Sequence, residues 1–403
     1  MTQFNSGKHR NSLSPVVKTL GWVSLLTDVA SDMIYPLLPV FLTRTLHAGP
    51  AVLGLIEGVA ETTASFTKLA SGWWSDRARR RKPLVVAGYA LAAAVRPLVG
   101  LATTWAQVLA IRFTDRVGKG IRTAPRDALI ADLVAPEKLG RAFGLQRAMD
   151  NAGAVMGPLL SALLLKFVFD SERPVFLLAA VPGLAAVILL VLRVADAPRP
   201  KHAPAPGPAR ATAAAATTPL PRRFWIAMAV FVLFTLANSS DAFLLLKARD
   251  AGVAAWQVPL LWAFFHAVKS IAGVPGGALA DRIGRTAAIA LGRGVYTISY
   301  VGFALAGNAA QIWPLFGFYA LFFSLTEGAE RALVADLVGS GARGRAFGIF
   351  NAATGLATLP ASLLFGVVWN SFGAPAAFLM GAGIALASTA VLLVLRPRIR
   401  TGA

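Results

Sequence analysis

Stretches of about 20 mostly apolar residues recur from one end of the chain to the other, and a helix of about that length crosses a hydrocarbon layer about 30 Å thick. They fall at 17–42, 51–72, 83–102, 106–126, 142–167, 174–194, 224–247, 257–276, 286–306, 312–332, 345–368 and 374–395, twelve windows in 403 residues. Inside hydrocarbon every backbone N–H and C=O must be satisfied within its own segment, so these windows read as helices and the chain as an all-α polytopic membrane protein. Composition agrees: only 14% of residues are charged, against about 25% in a soluble domain. That excludes a soluble enzyme and a disordered chain. With no cysteine, a disulfide scaffold, a thiolate metal site and a cysteine nucleophile are excluded too. The first window lacks a small-residue cleavage site and runs straight into Pro36 and Pro39, so it reads as a span rather than a cleaved signal.

The formal charge of +20 would suggest nucleic acid in a soluble chain. Here its placement decides. Outside the spans, 23 Lys and Arg lie on the side that holds both termini, among them the Arg77–Lys82 cluster, and five lie on the other side. By the positive-inside rule both termini are expected in the cytoplasm, in a bacterial-type inner (plasma) membrane, and no nucleic-acid partner is expected.

Residues 196–222 carry seven prolines and no periodic apolar face, which reads as a flexible cytoplasmic linker. The linker divides the chain into a six-helix bundle over 1–195 and another over 223–403. The halves repeat each other. Residues 127–144 and 331–348 align without gaps at an offset of 204, with 11 of 18 positions identical. Gly72-x3-Asp76-Arg77 recurs as Gly277-x3-Asp281-Arg282 at an offset of 205. Six crossings return the chain to the same side, so the repeat is parallel, as in transporters whose halves rock about a central site.

These motifs resemble those of the major facilitator superfamily, whose loop after the second helix reads G-x-L-A-D-R-x-G-R-R/K. Gly72-Trp-Trp-Ser-Asp76-Arg77-Ala-Arg79-Arg80-Arg81-Lys82 matches it with Arg79 in place of Gly, and Gly277-Ala-Leu-Ala-Asp281-Arg282-Ile-Gly284-Arg285 is closer. The resemblance implies a gating role for Gly72, Asp76, Arg77, Gly277, Asp281 and Arg282, with the two glycines ending their helices and the aspartates meeting helix starts in the opposite bundle. Arg112-Phe-Thr-Asp115-Arg116-Val-Gly118 is similar to the family's R-x-x-Q-G-x-G element, with Asp and Arg replacing Gln and Gly. In the fifth window, Gly144, Gly153, Gly157 and Pro158 resemble the signature of the drug:proton antiporter branch, which associates with export. Small residues at that spacing imply close helix packing.

Ionisable residues within spans are costly and point to function. Asp28 and Asp32 share a face of the first span, followed by Tyr35; Glu57, Glu61 and Lys68 share a stripe of the second. The fourth carries Arg112, Asp115, Arg116, Lys119, Arg122 and Arg126; the fifth, Arg147, Asp150 and Asn151. Asn238, Asp241, His266, Lys269, Glu327 and Glu330 follow in the second half. Low dielectric disfavours the charged carboxylate, so such groups can load and release protons near neutral pH. Asp28, Asp32, Glu57, Glu61, Asp115, Asp150 and His266 are the expected proton-coupling groups, His266 mirroring Glu61 through the repeat. Tyr35, Arg112, Arg116, Arg147, Asn151, Asn238, Asp241 and Lys269 are the expected substrate contacts. A purely structural alternative pairs Asp115 or Asp150 with Arg112 or Arg116; the functional expectation is that Asp115, Asp28 or Asp150 holds Arg116 and that protonation of one of these carboxylates frees it for an anionic group. Glu327 and Glu330 are expected to form gate ion pairs with the basic end of the fourth span.

No G-x4-G-K-[ST] loop and no H-E-x-x-H cluster occurs, so ATP hydrolysis, a metal and a resident cofactor are not expected. The expectation is a monomeric, proton-coupled secondary transporter exporting a small polar, anionic or zwitterionic solute or a drug. The alternatives are an uptake symporter and a non-transporting membrane sensor or scaffold.

Overall fold

Helices account for every span, and no strand occurs among the described residues of the computed structural model, which are 13–78, 80–135, 138–194, 219–339 and 342–399. The side chains of Asp76, Arg398 and Ile399 lie outside that description, as does the 196–222 linker up to residue 218. The first half comprises α1 (Pro15–Asp32), α2 (Pro50–Arg77), α3 (Lys82–Val95), α4 (Trp105–Asp132), α5 (Leu139–Phe167) and α6 (Glu172–Leu178, resumed as Ala180–Arg193). The second comprises α7 (Arg222–Ala237, resumed as Ala242–Asp250), α8 (Gln257–Ile283), α9 (Arg285–Leu305), α10 (Ala309–Asp336), α11 (Arg343–Phe372) and α12 (Ala374–Ile399). Ten of these spans are long and apolar enough to cross a membrane; the other two, α2 and α4, are the ones loaded with charge.

Local chemistry explains the breaks. After α1 the chain tightens into a 3-10 turn at Tyr35–Leu37 and widens at Phe41–Thr45, around Pro36 and Pro39, which offer no N–H to the helix ladder. The repeat extends to the caps. Thr104 accepts from Gln107 N at the start of α4, and Asn308 accepts from Gln311 N at the start of α10, 204 residues later. At the other ends, Arg81 pairs with Asp132 and Arg285 with Asp336, again 204 apart.

One sequence expectation fails here. Gly72 and Gly277 lie inside helices, which run on to Arg77 and Ile283. α8 stops at Gly284, whose φ of +87° suits glycine; α2 stops at Ala78, in extended conformation.

The two halves share one apolar core on the face away from the termini, where Phe41, Leu42 and Leu53 join Phe243, Leu244, Phe365 and Trp369. Toward the termini each half has its own core, around Tyr89 and Leu190 in the first and Phe231 and Val334 in the second. The bundles are therefore sealed together on the far side; toward the termini their cores part, leaving a cleft flanked by α2 against α11, where Thr62 Oγ1 donates to Gly355 O at 2.8 Å, and by α5 against α8. An exposed Arg44–Asp250 ion pair of 3.1 Å and Lys166 over the Trp256 ring at 4.5 Å bridge the halves at the sealed face.

Within the first bundle, α5 packs on α1 through two of the expected glycines. A Cβ at Gly153 would lie 2.8 Å from Asp28 Cβ, and one at Gly157 would lie 2.6 Å from Val29 O. Gly144 has nothing within 4 Å, so the packing role inferred for it is absent. Gly153→Leu should therefore lower stability by about 1–3 kcal/mol through overpacking, read as a fall in melting temperature, while Gly144→Leu should leave it unchanged.

Candidate functional site

The charged face of α4 is met by α2 and α3. α2 and α4 run in the same direction, so acids four apart on one meet arginines four apart on the other in successive rungs. Arg112 Nη2 donates to Glu57 Oε1 at 2.6 Å, with side chains 6% and 1% exposed. One turn nearer the termini, Arg116 Nη2 lies 3.3 Å from Glu61 Oε1, and Glu61 is 43% exposed at the cleft. Asp115, on the back of α4, accepts from Arg96 Nη2 at 2.7 Å and Nε at 3.1 Å. Arg96 also donates to Thr27 O of α1.

The expected pairing is thus corrected: neither Asp115 nor Asp150 takes Arg112 or Arg116. Glu57 and Glu61 do, because parallel helices bring equal spacings into register. Arg96 was missed; it lies inside the third window, beside Pro97, where the sequence reading singled out no charge.

Above the ladder the two halves touch through polar side chains. Glu57 Oε2 accepts from Ser240 Oγ at 3.4 Å, in the bend of α7. Tyr35 Oη lies 3.5 Å from the same hydroxyl, and its ring lies 5.7 Å from the Arg112 guanidinium and 5.2 Å from the Trp262 ring. Asp32 Oδ1 accepts from Trp262 Nε1 at 3.2 Å. These residues form the roof of the cleft. Ser240 and Trp262 carry no charge, so nothing in the sequence marked them.

Nearer the termini, Asp150 accepts from Ser24 Oγ at 2.5 Å and Gln146 Nε2 at 3.0 Å. Arg126 donates to Ser24 Oγ at 2.8 Å and pairs with its neighbour Asp127. Asp28 is half-buried with no hydrogen bond or ion pair among the described residues. Across the cleft, Asp241 accepts from Tyr319 Oη at 2.6 Å. His266 is wedged edge-on against Trp262 and Phe265, its Nε2 without a partner, so it makes no relay with Glu61 here. Asn151 and Asn238 are half-buried, with no side-chain hydrogen bond among the described residues.

The gate expectations are redrawn as well. Glu327 collects Lys269 at 3.3 Å, Arg331 at 3.6 Å and, from the opposite half, Arg147 of α5 at 3.8 Å. It does not meet α4. Glu330 turns into its own bundle toward the fully buried Arg293, at 3.3 Å. Arg77 folds back over Trp73 of its own helix at 3.7 Å, and Asp281 and Arg282 are exposed at the end of α8. The Asp76 side chain falls outside the described residues.

Removing one partner of a buried pair strands a charge, at a cost of about 3–5 kcal/mol, whereas an exposed pair contributes about 0–1 kcal/mol. Asp115→Asn should therefore strongly destabilise the protein, and Asp250→Asn hardly at all; unfolding midpoints of the purified proteins measure both.

Against known proteins, the family model described as Major Facilitator Superfamily matches residues 20–329. An uncharacterized MFS-type transporter of Methanocaldococcus jannaschii is 34% identical over 397 residues, covering 96% of each chain. A multidrug resistance protein of Photorhabdus laumondii is 30% identical over 180 residues, 42% of this chain and 44% of that one. Among solved structures, a bacterial homolog to the human lysosomal transporter Spinster, in an inward-facing and occupied conformation, superposes with a TM-score of 0.78 at 15% identity, over 97% of this chain and 100% of that one. Family, relatives and fold agree that this chain belongs to the major facilitator superfamily of membrane transporters.

Proposed function

We propose that the protein is a proton-coupled exporter of a small polar, anionic or zwitterionic solute, working by alternating access, with both termini in the cytoplasm. The observation that carries this reading is the state of the carboxylates on the cleft wall. Glu57 and Asp115 are locked in buried pairs, whereas Glu61 is half-exposed in its pair with Arg116 and Asp28 has no hydrogen bond or ion pair among the described residues. A free carboxylate beside a loosely held ion pair can take a proton from the cleft and pass the consequence to an arginine. Glu57 and Asp115, expected from sequence to titrate, are better read as the scaffold that fixes α2, α3 and α4.

Export is supported by the glycines of α5, Gly153 and Gly157, which bring its backbone against α1 at Asp28 and Asp32, and by the partial likeness to a multidrug resistance protein. Cytoplasmic termini are supported by the 23-to-five distribution of Lys and Arg. On that orientation the cleft is open to the cytoplasm. The Glu327–Arg147 contact is then the first inter-bundle tie that closure would tighten.

A solute that raises the melting temperature of the purified protein identifies a substrate for transport in liposomes. Protons should then move opposite to the solute. Asp28→Asn should abolish proton-driven accumulation while leaving solute counterflow, which needs no net proton movement. Protons moving with the solute would make the protein an uptake symporter, and no solute-dependent flux at all would make it a sensor or scaffold.

A further inference from the structure

The basic stripe of α4 continues past the rungs that α2 neutralises. Arg112, Arg116, Lys119 and Arg126 stand at helical spacing, with Arg122 on the flank toward α3, seven residues from Asp115, but the stripe of α2 that supplies Glu57 and Glu61 supplies Lys68 next. Below the second rung the anions run out. Lys119 and Lys68 are exposed, and their side chains make no ion pair or hydrogen bond among the described residues. Arg122 is only 6% exposed; its guanidinium lies 4.3 Å over the Tyr89 ring, and it has neither an ion pair nor a hydrogen bond there, its buried Nη1 included.

A buried guanidinium without a counter-ion is expensive, and proteins keep one where something else supplies the charge. The fold itself does not ask for it. At the same places in the second half, 204 residues on, α10 carries Phe316, Ala320, Phe323, Thr326 and Glu330 and builds the same helix. The opposing carboxylate does not fill the gap. α1 and α4 are antiparallel, and the 2.8 Å contact of Arg126 with Ser24 sets Asp28, one turn on, opposite Arg122, one turn back. Even so, no ion pair within 4.0 Å joins Asp28 to Arg122.

We propose that Lys119 and Arg122 form the binding site for a dianionic oxyanion group, a phosphate or a dicarboxylate, carried by the transported solute, with Lys68 attracting it from the mouth of the cleft. The site rests on the reading of the protein as a transporter of polar or anionic solutes. It differs from the sequence-based expectation in position, about one to three turns nearer the termini than Arg112 and Arg116, which Glu57 and Glu61 occupy. A dianion matches two unpaired cations, whereas a monoanion leaves one uncompensated. Asp28 is then the competitor for Arg122.

Equilibrium binding of inorganic phosphate to the full-length protein in lipid nanodiscs, at constant ionic strength, tests this without any proton gradient. Phosphate and malonate should bind and acetate should not. Lys119→Gln should weaken phosphate binding by about tenfold, as should Arg122→Gln if it folds. Arg141→Gln, an exposed cation at the start of α5, should have no effect, and Asp28→Asn should tighten binding by removing the competitor. Phosphate binding that is absent, or unchanged in Lys119→Gln, overturns the site. If the site fails while solute-driven proton flux persists in liposomes, the transporter reading stands. If binding holds but no solute-dependent flux occurs, the transporter reading fails.

Discussion

A charge in hydrocarbon must be neutralised by another charge or by water, and α2 and α4 carry more charge than a lone span tolerates. They are stable because they face each other. Glu57 with Arg112 and Glu61 with Arg116 neutralise two charges on each of two poorly inserting helices, and Arg96 with Asp115 ties them to α3. The first bundle is organised around these three contacts. The roof of the cleft hangs from the uppermost of them, since Glu57 also accepts from Ser240 of the opposite half. The same interaction thus sets the position of α4, on which the unpaired cations stand, and the closure of the far side.

At the level of these three contacts the second bundle packs without charge, and its buried ion pair, Arg293 with Glu330, lies nearer the termini. Where Arg96 meets Asp115 in the first half, Tyr300 and Tyr319, each 204 residues on, stand with ring centroids 6.2 Å apart. A stack of Tyr296 on Tyr300 at 4.0 Å continues the layer. Aromatic contact replaces ion pairing at this level, so the upper part of the cleft has one ionic wall and one wall backed by rings. Duplication supplied the frame, and divergence placed the chemistry on one side of it.

The family resemblance was legible in residues whose role is geometric or topological. The repeat at 127–144 and 331–348 gave two like bundles, and the second-half counterparts of Thr104 and Arg81 were found where that offset puts them. Gly153 and Gly157 were recognisable because a helix can approach another so closely only where a side chain is missing. The same signature misled at Gly144, which has nothing nearby to pack against, and the loop motif misled at Gly72 and Gly277, which stay helical while their helices run on to Arg77 and Ile283.

What the sequence determined by itself is how many times the chain crosses, which segments carry charge and on which helical face it lies, because hydropathy and spacing are properties of one segment at a time. What only the tertiary structure decided is which charges meet. Glu57 is 55 residues from Arg112, Arg96 is 19 from Asp115, and Ser240 is 183 from Glu57. Partner choice across such separations depends on the relative direction and rotation of whole helices, which no single segment encodes. The same is true of the partner that is missing. That Arg122 is buried and has no ion pair among the described residues follows only from where α1 and α2 happen to place their acids.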